Sequence, residues 1–173
     1  MLLKDTEAYW NDVMADTTQI DIPDELFENI IKASIMYLLA TTRHYPESEH
    51  LAPWAAAWVY GPIENEAQVV IRGMDLMNRS DFSRQCLDYY LSLYNDAGAL
   101  TTGYTLMGTG WNLWTIAEHY RLTRNRDWFG RNIPKIAKAC EWITKQCRKT
   151  KAFDVHGNKV PEYGLFPPGV TGD

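Results

Sequence analysis

The chain has 173 residues, 46% of them apolar and 23% charged, with a formal net charge of -5. It holds no run of about 18 apolar residues, so no membrane span is expected. It also lacks the clustered excess of Lys and Arg that a nucleic-acid footprint needs. A chain of this length and balance is read as a single globular domain.

A first helix is expected over 5–16, with Tyr9, Trp10 and Val13 as its apolar side, and 17–23 breaks it. The second runs over about 23–42. Pro23 suits a first helical turn and Asp24 and Glu25 suit its dipole. Leu26, Phe27, Ile30, Ile31, Ser34, Ile35, Leu38 and Leu39 make a broad stripe at helical period. An irregular loop over 43–61 carries Pro46, Pro53, Trp54, Trp58 and Tyr60. The third helix starts at Pro62 and reaches about Met77, with Glu64 and Glu66 in its first turn. A tight turn at Asn78, Arg79 and Ser80 leads to a fourth helix, capped by Ser80 or Asp81 and ending near Tyr94.

A second long loop covers 95–109. It runs through Gly103 and Gly108 into a fifth helix over 110–124, whose first turns hold Trp111 and Trp114. Those two rings are three residues apart and share a face. Trp111 is placed beside a ligand and Trp114 in the core. Asn125 and Arg126 turn the chain into a sixth helix over about 127–147. A third irregular stretch, 148–173, holds a small hairpin around His156, Gly157 and Asn158. No other stretch reads as a strand.

Cys86, Cys140 and Cys147 are odd in number and lack CxxC spacing, which excludes a disulfide framework and a zinc site. They read as helix thiols, Cys140 and Cys147 as ordinary core residues. His44, His50 and His156 have no metal spacing, and no metal or cofactor is implied. Glu118 and His119 read as buried polar partners. The basic cluster at 145–151 sits where cations complement a helix C-terminus. The first residues do not read as a signal peptide, which leaves the compartment open.

Seven Trp and ten Tyr are the compositional outlier. These side chains keep a polar handle and suit a dry interior poorly. Many fall in or beside loops, which points to an aromatic binding surface rather than a large core alone. The connections alternate short and long. Unstructured loops longer than about 12–15 residues are uncommon and usually functional. In an antiparallel helix series, alternate connections share an end, so the loops at 43–61, 95–109 and 148–173 are expected to gather on one rim. By the same alternation a seventh helix is due after Asp173, so the chain is expected to be part of a longer array.

Three segments carry a family resemblance: WNLWTIAEHYRLTRNRDWFGRNIPKIAKACEWI (111–143), DFSRQCLDYYLSLYNDAGAL (81–100) and EYGLFPPGVTGD (162–173). In order and spacing the chain resembles the six-hairpin (α/α)6-toroid glycosidases, the glucoamylase-, rhamnosidase- and debranching-enzyme-like proteins. The resemblance implies an all-α fold of antiparallel helical hairpins, about half of a toroid, in one truncated domain over 1–173. It makes the third and fifth helices inner and the second, fourth and sixth outer. It implies an oligosaccharide or glycoside as partner, with no nucleic acid and no membrane. Self-association or a missing C-terminal half would cover the open edges.

Glycoside hydrolysis uses two carboxyl groups flanking the scissile bond. The candidates here are Glu64 and Glu66. They point about 200° apart around a helix, so at most one faces a cleft. Dipole complementation is the plainer role for each. The second carboxylate is expected outside this chain, and the chain alone is expected to be inactive. Sugar contacts are expected from Trp58, Tyr60, Asn65, Gln68, Tyr104, Trp111, Glu162 and Asp173. One departure stands out: GPIENEAQ replaces the aromatic-Arg-Asp motif that many toroid glycosidases carry at the head of this inner helix. The departure leaves a sugar-binding or epimerase-like toroid as an alternative. A helical-repeat scaffold is the other alternative, and its short loops throughout do not match this chain.

Overall fold

Asp24 and Asn125 mark where two of the helices begin. The Asp24 carboxylate accepts the Phe27 N–H at 3.0 Å, and the Asn125 Oδ1 accepts the Trp128 N–H at 3.0 Å. Each satisfies one of the donors that a helix leaves open in its first turn. The computed structural model describes residues 2–54, 61–102 and 107–168. In them the chain forms α1 (Leu2–Ala15), α2 (Glu25–Thr41), α3 (Glu64–Leu76), α4 (Ser80–Ser92), α5 (Gly108–Thr123) and α6 (Arg126–Lys149). The fold is all-α apart from a two-stranded antiparallel pair, β1 (Arg43–His44) and β2 (Leu51–Ala52), with Arg43 opposite Ala52 and His44 opposite Leu51.

Two boundaries differ from expectation for local reasons. Pro23 lies outside α2, because Asp24 takes the capping position. The strands in the 43–61 stretch are two residues each, too short to show a period of two.

The described residues fall into two compact units, Met1–Leu87 and Asp88–Asp173, and the division lies inside α4. In the first unit, α3 and α4 are tied by the Ser83 hydroxyl, which donates to the Ile71 carbonyl at 2.9 Å. Ile71, Met74, Cys86 and Leu87 are fully or almost fully buried around them. The end of α1 is held to the α3–α4 turn. Arg79 donates to the Val13 carbonyl at 2.8 Å and Asn78 to the Asp16 carbonyl at 2.9 Å. Asn78 takes a positive φ of 62° to make that turn. The apolar stripe expected for α2 is not a core stripe: only Ile35 is buried, while Leu26, Phe27 and Ile30 are more than half exposed.

In the second unit, α5 packs on α6. The Tyr120 and Phe129 rings stack at 4.5 Å, and the His119 and Trp128 rings meet edge to face at 5.0 Å. Arg124 takes a left-handed φ of 53° in the short turn between them. Lys135 reaches from α6 to the Leu91 carbonyl at the end of α4, 2.8 Å away. Trp128 and Ala139 are the buried anchors of α6. Cys140, one residue on from Ala139, points off that line and is exposed, so it is not a core thiol; Cys147 is half-buried. Beyond α6, Phe153 pairs with Lys159 across the expected hairpin, and Trp142 rests against Phe166.

Candidate functional site

Helices α3 and α5 start differently from α2 and α6. Their N-cap positions are Ile63 and Met107, whose side chains cannot accept a backbone N–H. The donors of the first turn are thus left to other partners. The same two helices bury polar stripes. On α3, Glu64 and Gln68 are completely buried one turn apart, and Asp75 continues the line two turns on at 6% exposure. On α5 the buried line is Thr109, Asn112, Thr115, Ile116 and His119.

The first five residues of α3 hold four predicted site residues. Glu64 and Gln68 face inward, Asn65 is half-buried and Glu66 is exposed. The Asn65 Oδ1 accepts no hydrogen bond among the described residues. The carboxyl groups of Glu64 and Glu66 therefore sit in opposite environments, buried and solvated.

Trp111 and Trp114 form an edge-to-face pair with centroids 5.7 Å apart and planes at 87°. Both are exposed, 39% and 44%. Trp114 is therefore not in the core. The interior side of α5 is taken by the Thr, Asn and His stripe, which lies around the helix from the two indoles. Those polar side chains have their own partners. The Thr109 hydroxyl accepts the Leu100 N–H at 3.0 Å, and the Asn112 Oδ1 accepts the Tyr94 hydroxyl at 2.8 Å. Burial, and after it the nearby Cys140, pushes the Tyr94 phenol well above its ordinary pKa, so it stays a donor. His119 is buried against Trp128 and Glu118 pairs with Arg121.

Glu162 lies in the turn after the 153–159 hairpin, where its carbonyl accepts the Leu165 N–H at 2.8 Å. Its carboxylate is half-buried and makes no hydrogen bond or ion pair among the described residues. Trp58, Tyr60, Tyr104 and Asp173 lie outside the described residues.

Comparison with protein-family models, with curated proteins and with solved structures gives no match. The candidate site therefore rests on its own residues. Among the described residues no three His, Cys, Asp or Glu side chains converge as a metal site. No described helix is long and apolar enough to cross a membrane. A cavity of about 620 Å³ opens between α1 and α2 and contains none of the predicted sugar contacts.

His119 is buried as expected, while the rest of the polar interior of α3 and α5 was missed. Its signal was present as Glu64, Gln68 and Asp75 at four- and seven-residue steps, and as Asn112 and Thr115 leading to His119 at three- and four-residue steps. A search for apolar periodicity passes over both.

Proposed function

We propose that this chain is a carbohydrate-active protein of the α/α-toroid type, and that its chemistry is glycoside hydrolysis with Glu64 as one of the two carboxyl groups. The observation that carries the reading is the complete burial of Glu64 in the first turn of a helix whose cap residue is Ile63. A carboxyl in such a place is shielded from water and lies beside the first-turn backbone N–H groups of its helix. Gln68 and Asn65 add amide groups that suit sugar hydroxyls. In the second unit, the exposed faces of Trp111 and Trp114 suit the C–H edges of a pyranose ring. Glu66 faces solvent and complements the helix dipole. The second carboxyl is assigned to no described residue.

Saturation-transfer NMR with a panel of mono- and oligosaccharides tests the reading. Binding is expected, with Glu64→Gln weakening it about tenfold or more, the effect of losing a charged hydrogen-bond partner in a buried site, and Glu66→Gln leaving it unchanged. No sugar signal, or equal loss in both variants, would sink it.

A second reading keeps the sugar and drops the hydrolysis. It is favoured by GPIENEAQ, which puts no Arg-Asp pair at the head of α3. Sugar binding that survives Glu64→Gln with only a small loss would favour this reading over the first.

A further inference from the structure

The cavity of about 620 Å³ in the first unit has a composition unlike the α3 site. One wall is a face of α1 at three- and four-residue steps: Glu7, Trp10, Asn11 and Met14. The other is a face of α2 with Ile31, Ile35 and Met36, and Met77 closes the floor. The volume falls in the range of small-molecule sites, which run to about 300–1,000 Å³. Three thioethers, Met14, Met36 and Met77, and three isoleucines, Ile20, Ile31 and Ile35, make a surface that adapts to an irregular apolar body.

The charge around it is one-sided. Residues 1–32 carry eight carboxylates and two lysines. The lysine at the cavity, Lys32, is engaged: Glu28 holds it at 3.6 Å with one oxygen and accepts the Ile22 N–H at 3.0 Å with the other. Glu7 makes no ion pair or hydrogen bond among the described residues. It sits one turn before Trp10 on the same helix face, so a carboxylate and an indole line the same wall. An aromatic face beside a carboxylate attracts a cation that is weakly hydrated. An anion of equal shape meets the acidic surroundings and is repelled.

We propose that the α1–α2 cavity is a binding site for a small lipophilic cation, an ammonium or phosphonium carrying apolar substituents. The apolar body rests on Met14, Ile31, Ile35, Met36 and Met77, and the charge lies by Trp10 and Glu7. This site is independent of the carbohydrate reading.

The test titrates the full 173-residue chain with tetraphenylphosphonium and, separately, with tetraphenylborate, which has the same shape and the opposite charge. Saturable one-to-one binding of the cation is expected by calorimetry, with amide shift changes confined to α1, residues 16–24, α2 and Met77. The borate is expected to bind about tenfold more weakly or not at all. Glu7→Gln should weaken the cation about three- to fivefold, the range of an exposed charge pair, without strengthening it in high salt. Trp10→Leu should weaken it about tenfold through the lost cation–π contact. Met36→Trp fills the cavity from the other wall and should abolish binding with wild-type helical circular dichroism. Equal affinity for the two ions overturns the proposal. So does wild-type affinity in Glu7→Gln or Met36→Trp, or shift changes elsewhere in the chain.

Discussion

Asn95 and Asp154 hold two separate loops in the same way. The Asn95 Oδ1 accepts the N–H groups of Ala97 and Ala99, both at 3.0 Å, and the Asp154 Oδ1 accepts those of His156 and Asn158, both at 2.8 Å. In each loop the third residue on is a glycine at positive φ, Gly98 at 92° and Gly157 at 81°. Each glycine N–H returns to the carbonyl of the Asx residue, at 3.0 Å and 3.1 Å. The flanking residues pair across the loop, Tyr94 with Leu100 and Phe153 with Lys159. An Asx side chain satisfies its own loop's donors in this geometry whether it is an amide or an acid. The same turn thus follows both α4 and α6, which gives helix-then-hairpin a structural repeat within the second unit.

That equivalence predicts how Asp154 responds to change. The backbone N–H of Asn158 and then of His156, with the Asn158 side-chain amide, hold its carboxyl below the ordinary carboxylate pKa. A depressed folded pKa means that the ionised form favours the turn above the unfolded value near 3.9. The contribution is lost as pH falls through the lower folded value. The His156 and Asn158 amide resonances are expected to titrate with a midpoint below that of a free aspartate. Asp154→Asn should abolish the titration and keep the Phe153–Lys159 pairing, since Asn95 makes the same turn. Asp154→Ala should lose the pairing, read as loss of cross-strand contacts in NMR.

Gly98 and Gly157 share a backbone conformation and differ in their surroundings. A Cβ on Gly98 would lie 2.4 Å from the Lys138 carbonyl oxygen on α6, whereas one on Gly157 would meet nothing within 4 Å. Gly157→Ala is expected to cost about 1 kcal/mol for the positive φ alone. Gly98→Ala adds a backbone collision and is expected to cost about 3 kcal/mol or more. Urea unfolding of the two variants measures the difference, and equal costs would contradict the close approach of the 95–99 loop to α6.

The helices were largely legible because their signals are local. Asp24 and Asn125 are capping residues, Pro62 and the acids after it announce α3, and the 3.6-residue period needs no partner to be seen. What the pattern does not reveal is which face a helix buries when the buried side chains are polar. The Trp111 and Trp114 pair makes an apolar-looking face of α5, yet the helix buries Thr109, Asn112, Thr115 and His119. Thr109 and Asn112 are tolerable inside because Leu100 and Tyr94 supply hydrogen-bond partners from other elements, and Thr115 donates to the Trp111 carbonyl of its own helix. Buried polar groups need such partners, and their identity depends on tertiary placement. The same holds for Glu64 and Gln68, where composition alone gives no sign that one acid of GPIENEAQ is buried and the other exposed. The stripe of α2 marked a true helix but not its burial, since an apolar period states what a helix can bury and not how much cover it receives.

The cysteines are expected to separate by reactivity. Burial, followed by the nearby Asp75 carboxylate, pushes the Cys86 thiol well above its ordinary pKa, and Cys86 is 0% exposed. Cys140 is exposed and Cys147 half-buried. Because the thiolate is the reactive form, native protein at pH 8 should modify Cys140 fastest with a disulfide reagent, Cys147 more slowly, and Cys86 only at the rate of unfolding. Mass spectrometry of the mixed-disulfide peptides, digested without reductant, identifies the order. Rapid labelling of Cys86 in the folded chain would contradict its place in the α3–α4 core.

Trp128 ties three elements of the second unit together. Its N–H starts α6 on the Asn125 cap, its indole Nε1 donates to the Asp88 carboxylate of α4 at 2.7 Å, and its ring meets the edge of His119 on α5. At 2% exposure the side chain is a core residue with one polar atom to satisfy. Trp128→Ala should cost about 3–5 kcal/mol, as a large aromatic leaving a cavity does. Trp128→Phe keeps most of the apolar body and loses the donor, so the half-buried Asp88 carboxylate loses that hydrogen bond, at about 1–3 kcal/mol. Asp88→Asn keeps an oxygen acceptor in place and should cost less than Trp128→Phe. Asp88→Ala removes the acceptor, and if the indole bond links α4 to α6 the Trp128→Phe/Asp88→Ala double variant should cost about 1 kcal/mol less than the sum of its two singles, which a double-mutant cycle from urea unfolding measures. Additive costs would mean that Trp128 stabilises the unit through its ring alone.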